Sequence, residues 1–211
     1  MRILIACEFS GIVRDAFSRR GHEAWSCDLL PSELPGNHIQ DDVLRHLNKD
    51  WDLMIAHPPC TYLTCTGNKW NKPEYSARFP DRPKKIEEAV TFFMLFANAN
   101  IPRIAIENPI GIMSSRWRKP DQIIQPFNYG APVRKATCLW LKNLPPLMSL
   151  HRYPDEVITF KSGKTMSKLH YETASLPKEE RAKERSKSFE GIADAMADQW
   201  GAAIEAERRE K

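Results

Sequence analysis

The sequence predicts an α/β domain built on a mostly parallel sheet flanked by helices, and three observations lead there. Apolar runs at 2–6, 23–27, 53–56 and 103–106 have the length of buried strands. Stretches with apolar residues at helical spacing lie among them. Glycine- and proline-bearing turns separate the two kinds. Such alternation places parallel strands under covering helices, with ligands at the carboxyl ends of the strands.

Arg2 to Ala6 reads as the first strand; Gly11 opens a turn, and Ile12, Val13, Ala16 and Phe17 then recur at helical spacing until Gly21. Glu23 to Cys27 is a second strand, ending at Asp28. Pro31, Pro35 and Gly36 mark a loop leading to Ile39 and the acidic pair Asp41-Asp42. Leu53 to Ala56 and Arg103 to Ile106 supply further strands, separated by a helix whose Ile86, Ala89, Val90, Phe93, Met94 and Ala97 share a face. Thr137 to Leu141 reads as another strand, broken by Leu144-Pro145-Pro146. Pro177 to Lys187 is charge-rich, exposed and partly helical, and the stripe Ile192, Ala195, Met196, Trp200, Ala203 and Ile204 docks a C-terminal helix. The connection Thr61 to Pro83 interleaves Lys69, Trp70, Lys72, Tyr75, Arg78, Phe79 and Arg82. Connections this long in compact domains are usually functional or disordered, and this composition suits a lid over a base and its backbone.

With 211 residues, 42% hydrophobic and 27% charged, the chain fits one domain over 1–211, with a small irregular insertion at 145–187 before the last helix. A net charge of +4 permits a polyanionic partner without demanding one. Five scattered cysteines without a CxxC pair argue for a reducing compartment and against a disulfide framework. No signal peptide is evident, and no apolar run approaches the roughly 20 residues that span a bilayer, so a cytoplasmic protein without a membrane partner is expected. His57, Cys60 and Cys65 lack a fourth ligand at a recognisable spacing, and no metal is expected.

The chemistry resides in two short runs. His57-Pro58-Pro59-Cys60 and Glu107-Asn108-Pro109 each place a reactive side chain just past a predicted strand. Carbon-5 of cytosine is a poor nucleophile, but thiolate addition to carbon-6 turns the ring into an enamine that attacks an electrophilic methyl. Cys60 is the candidate thiolate. A free thiol, with pKa near ~8.5, is only a few per cent ionised at neutral pH. A positive neighbourhood or backbone donors must therefore favour the anion, with His57 or Lys69 as contributors. Glu107 is the candidate donor to the ring nitrogen beside the exocyclic amine, a task that requires burial to raise its pKa. Asn108 would orient the loop or the base. At the first turn, Phe9 offers an aromatic face and Gly11 a close backbone approach, while Asp28 suits ribose hydroxyls and Asp42 an adenine amine. Taken singly, each has a plainer reading: a small buried cysteine, a turn-starting Asn-Pro, solvated turn aspartates.

The motifs and their order resemble the DNA cytosine carbon-5 methyltransferase family, in a short form of the kind found in phage and prophage genomes. Pro58-Pro59-Cys60 matches its nucleophile loop and Glu107-Asn108 its Glu-Asn dipeptide. Phe9-Ser10-Gly11 matches the start of its cofactor turn, with Val13 and Arg14 where glycines stand in the family. Asp28 and Asp42-Val43 resemble its acidic cofactor contacts. Tyr129-Gly130-Ala131-Pro132 resembles the segment before its paired arginines, with Arg134 and Lys135 as the basic residues here. The resemblance implies a Rossmann-like methyltransferase fold, S-adenosylmethionine as cofactor, and methyl transfer to carbon-5 of cytosine in DNA. It implies catalytic roles for Cys60, Glu107, Asn108 and Arg134, and cofactor contacts at Phe9, Gly11, Asp28, Asp42 and Pro58. Substrate contacts fall on Lys69, Trp70, Arg134 and Lys135. The family's target-recognition region is reduced here to 145–187, where Arg152, Lys161, Lys164 and Lys168 are available to phosphates. The expected partner is double- or single-stranded DNA. A free pyrimidine nucleotide is the alternative substrate, and a nucleic-acid-binding protein without methyl transfer is a third reading.

Overall fold

Four of the predicted strands pair side by side at the centre of a seven-stranded sheet. The computed structural model describes residues 1–149 and 154–210. Arg2–Ala6 (β1) pairs in parallel with Glu23–Asp28 (β2) on one side and Leu53–Ala56 (β4) on the other. His38–Gln40 (β3) extends the sheet beyond β2, and Ile104–Pro109 (β5) beyond β4. Thr137–Lys142 (β7) then pairs antiparallel with β5, and Gln122–Ile124 (β6) antiparallel with β7. The order β3-β2-β1-β4-β5-β7-β6, with only β7 reversed among these strands, is a Rossmann-like arrangement.

The near-continuous apolar strands follow from burial on both faces. Ile3 and Ile5 of β1 face Val13, Ala16 and Phe17 of helix Ile12–Ser18 (α1) and Met196 and Trp200 of helix Glu190–Arg209 (α6). Leu4 and Ala6 face the other way, in a cluster with Phe93 and Phe96 of helix Arg82–Ala97 (α2) and with Trp140. A short helix, Met113–Arg116 (α3), follows β5. Part of the segment 145–187 is regular: Val157–Thr159 (β8) and Thr165–Ser167 (β9) form a hairpin, followed by helices Lys168–Glu172 (α4) and Lys178–Ser186 (α5). No helix among the described residues is long and apolar enough to cross a membrane.

The fifth strand departs from expectation. The apolar run places its end at Ile106, but pairing with β7 carries the ladder through Glu107↔Leu139 and Asn108↔Cys138 to Pro109↔Thr137. Glu107 and Asn108 therefore sit on a hydrogen-bonded strand. The strands β3 and β6 are three residues each, too short to leave a periodic signal.

The turn after β1 is closed from within. Arg14 is fully buried; it pairs with Asp15 and donates to Ser26, Ser32 and the carbonyls of Leu34 and Pro35. It thereby ties α1 to the loop after β2. Truncating one side of a buried charge pair strands the rest, at a cost of about 3–5 kcal/mol. Arg14→Ala should lose stability of that order in urea unfolding. A loss below about 1 kcal/mol would mean that the loop holds itself.

Candidate functional site

Because the strand order reverses between β1 and β4, their carboxyl ends flank the crevice where open α/β sheets bind ligands. His57 leaves β4 with its amide on the Ala6 carbonyl, and Pro58, Pro59 and Cys60 follow. On the adjoining strand, the Asn108 side-chain amide donates to the Pro58 carbonyl over 2.7 Å, and His57 Nδ1 lies 2.9 Å from Glu107 Oε2. Two side-chain links therefore register the thiol loop to the carboxyl strand. Backbone bonds continue the seam: the Cys65 amide reaches the Ile110 carbonyl, and the Ile112 amide reaches the Leu63 carbonyl. A Cβ on Gly111 would stand 1.9 Å from that Leu63 oxygen, so the seam requires glycine there.

The electrostatics of the pair run opposite to expectation. Burial pushes the Glu107 carboxyl upward, but the His57 hydrogen bond, the His57 and Lys135 charges and the Thr137 hydroxyl outweigh it, leaving its pKa below the ordinary value. Burial, reinforced by the Glu107 charge, raises the Cys60 thiol, against smaller lowering by Lys135 and a backbone hydrogen bond. The free protein thus favours a thiol beside a carboxylate. Asn108 is buried, with its Oδ1 unpartnered, and His57 Nε2 is likewise buried and unpartnered.

Beside this pair lies a cavity of about 340 Å³ lined by Asp28, Asp42, Cys7 and Cys27 on its polar side and by Leu29, Val43, Leu44, Pro59 and Phe92 on its apolar side. Two carboxylates facing an apolar slot suit a nucleoside. Asp28 already accepts the Leu30 amide and Asp42 the Leu44 amide, which fixes each carboxylate. Burial drives the Cys7 thiol far up and raises Cys27 to about 11, so neither supplies a thiolate here.

The other expected cofactor contacts stand apart. Phe9 is buried beneath the Lys183 ammonium, 5.2 Å from the ring centre. Gly11 has φ +80°, and its open side is filled by the Arg14 guanidinium. The Glu8 carboxylate accepts the Val13 and Arg14 amides, leaving the start of α1 without free donors there. The cavity is lined by Pro59; Pro58 contributes the carbonyl bound by Asn108. The lining thus suits the nucleoside half of S-adenosylmethionine, while the expected cofactor turn after β1 is filled by the chain's own Glu8 and Arg14.

Arg134 and Lys135 point in opposite directions. Arg134 is exposed and ion-paired with Asp155. Lys135 Nζ donates to the Arg185 carbonyl over 2.8 Å and lines a small cavity with His57, Glu107, Thr137 and Lys187. Lys69 lies over Trp70 at 4.4 Å, and Trp70 packs edge-on against Tyr75 and Phe79. This aromatic knot walls a groove of about 760 Å³ that starts at Thr61 and Tyr62, directly after Cys60. Arg78, Arg82, Lys85, Lys178 and Arg181 all line the groove, and among the described residues none of them pairs with a carboxylate. The basic residues that the sequence makes available to phosphates in 145–187 lie elsewhere. Lys168 is paired with Glu156, Lys161 and Lys164 lie around the hairpin turn, and Arg152 lies outside the described residues. The described residues contain no cluster of three or more side chains able to hold a metal ion.

No family model matches the chain, and no curated protein does. Among solved structures it is similar to a candidate DNA modification methyltransferase encoded within an E. coli prophage, at 16% identity and a TM-score of 0.44. The match covers 73% of this chain and 52% of that one, so the chain spans about half the length of that protein. A likeness this distant carries no argument about function.

Two outcomes test the electrostatics. Cys60 should resist iodoacetamide near neutral pH and react faster in Glu107→Gln, which removes the charge opposing the thiolate; peptide mapping reads this against exposed Cys65. Glu107 holds its proton more weakly when folded than when unfolded. Its share of stability is therefore complete above the ordinary carboxylate range and is lost as pH falls through the folded value. Thermal melting in acid should fall less steeply in Glu107→Gln than in the native chain.

Proposed function

We propose that this chain methylates carbon-5 of cytosine in DNA, with Cys60 as nucleophile and Glu107 as the acid. The observation that carries the reading is the double registration of the Pro58-Pro59-Cys60 loop to the Glu107-Asn108 strand at the reversal point of the sheet. A nucleophile and an acid must flank a single small ring, and tying the Cys60 loop to the Glu107 strand holds the two at a fixed separation.

In the free protein the thiol and the carboxylate hold between them the proton that the addition step uses, while the carbon-5 proton leaves later to a separate base. Transfer of the thiol proton from Cys60 Sγ to the Glu107 carboxylate gives a thiolate and an acid without an outside base. As the Cys60 sulfur bonds to carbon-6, ring electrons move onto the nitrogen beside the amine, and Glu107 supplies the proton there. Asn108 keeps the loop at a fixed distance. S-adenosylmethionine, held at its nucleoside end by Asp28, Asp42, Pro59 and Phe92, would supply an electrophilic methyl group.

Polymeric DNA is favoured over a free nucleotide by the groove after Cys60. Five cations without carboxylate partners suit several successive phosphates, whereas a nucleotide offers only one cluster. One observation favours a second reading, a nucleic-acid-binding protein without methyl transfer: Glu8 and Arg14 fill the first turn.

DNA carrying 5-fluorocytosine should leave a stable adduct on Cys60 in the presence of S-adenosylmethionine, and Cys60→Ser should leave none. Full methyl transfer by Cys60→Ser would end the proposal. Calorimetry without S-adenosylmethionine binding at millimolar ligand would leave the second reading. Glu107→Gln should lower turnover by roughly 10²- to 10⁴-fold with cofactor affinity nearly intact. Lys178→Glu combined with Arg181→Glu should weaken binding of a labelled oligonucleotide and reduce its salt slope by about two. Unchanged affinity would return the choice to the free nucleotide.

A further inference from the structure

We infer that His57 is the positioning residue for Glu107: its Nδ1–H fixes one carboxylate oxygen and leaves the other to face the pyrimidine beside Cys60. The inference takes its purpose from the cytosine reading, but its geometry stands independently. His57 and Glu107 lie fifty positions apart and meet at 2.9 Å, with side chains only 10% and 17% exposed. Both ends are anchored by backbone. The His57 amide is bonded to the Ala6 carbonyl, and Glu107 is held in the ladder opposite Leu139. Since a carboxylate can only accept, the hydrogen is on Nδ1, and the ring plane is fixed by that bond.

A purely structural strut does not account for the other nitrogen. His57 Nε2 is buried without a partner, and buried polar atoms are rarely left so. His57 borders a cavity of about 20 Å³ shared with Glu107, Lys135, Thr137 and Lys187, enough for one water molecule. An apolar side chain would fill the same space without stranding a nitrogen. What it would not supply is a donor aimed at Glu107. Asn108 performs the matching task one residue along, holding the thiol loop through the Pro58 carbonyl, so the two links set acid and nucleophile separately.

The test uses the full chain with His57→Asn, which keeps a donor near the Nδ1 position, and His57→Leu, which keeps volume alone. Proton NMR of the native protein should show a downfield, exchange-protected imidazole N–H resonance that is absent in both variants and displaced in Glu107→Gln. Turnover on DNA should fall about 10²-fold in His57→Leu, as expected for a misplaced reacting group, with KM little changed. His57→Asn should regain most of that rate. Equal turnover in His57→Leu and His57→Asn, or a resonance indifferent to Glu107→Gln, would overturn the positioning role. A native protein that shows the resonance but methylates no DNA would remove the role by removing the reaction, and would leave the pairing itself standing.

Discussion

Ala6, Ala56 and Ile106 lie level across three neighbouring parallel strands, and the rest of the site depends on that register. With β4 hydrogen-bonded on both sides, the next residue of each strand falls into one row: Cys7, His57 and Glu107. A slip of one residue in β4 would turn Leu53 to Ala56 inside out, exchanging the α1–α6 side for the α2 side. It would also part His57 from Glu107 and Asn108 from Pro58. The apolar core therefore does more than stabilise the sheet. By making any other register costly, it fixes the distance between the loop after β4 and the end of β5, fifty residues apart in the chain.

The charges near this row are arranged so that none is both buried and isolated. Arg14 is enclosed by Asp15, two hydroxyls and two carbonyls. Glu8 is enclosed by two amides and Ser10. Glu107 meets His57. Desolvating an ion is costly unless it is paired or hydrogen-bonded, and each of these groups has such a partner. The same arrangement explains why the first turn differs from a glycine-rich one. Side chains from within the chain supply the contacts that a ligand's anionic tail would otherwise take.

Much of this was legible in the sequence, because the signals were local. Strands buried on both faces read as apolar runs, and β1, β2 and β4 fall where those runs do, with β2 one residue longer at Asp28. The stripe from Ile192 to Ile204 marked the docking face of α6. Cys60, Glu107, Asp28 and Asp42 stood out through residue type and position after strands. What escaped depends on pairing across space. The extension of β5 to Pro109 comes from β7, an antiparallel partner thirty residues downstream, and nothing inside 103–109 announces it. The His57–Glu107 contact follows from sheet register. Arg134 and Lys135 are adjacent basic residues that no periodicity distinguishes, yet Asp155 draws one away while the other faces the site. Arg14, as a charged residue on a short amphipathic stretch, carries no sign that it is the most enclosed cation of its turn.

Ion pairing also separates the surfaces by purpose. On the face formed by α1 and α6, Arg19 and Arg20 are matched by Asp194 and Asp198, and such exposed pairs add little stability while keeping the surface near neutral. Around the groove after Cys60 the matching stops. Arg78 rests on Trp70 and Phe79, and Arg82 and Lys85 lie near Tyr62, while Arg82 also donates to Asn71 and the Gly67 carbonyl and Arg181 to the Ala174 carbonyl, so rings and neutral oxygens rather than carboxylates neighbour these cations. A ring orients a cation without cancelling its charge, whereas a carboxylate does both. Cations without a carboxylate partner outnumber Asp81, the one lining carboxylate among the described residues, where the chain leaves Cys60. The rings, already covered by cations, are poorly placed to stack on bases. Such a groove would hold a nucleic acid by its phosphates, and a phosphate clamp tolerates many sequences. On the proposed reading, such a chain would grip backbone along the cation-lined groove and leave discrimination to the residues around Cys60 and Glu107.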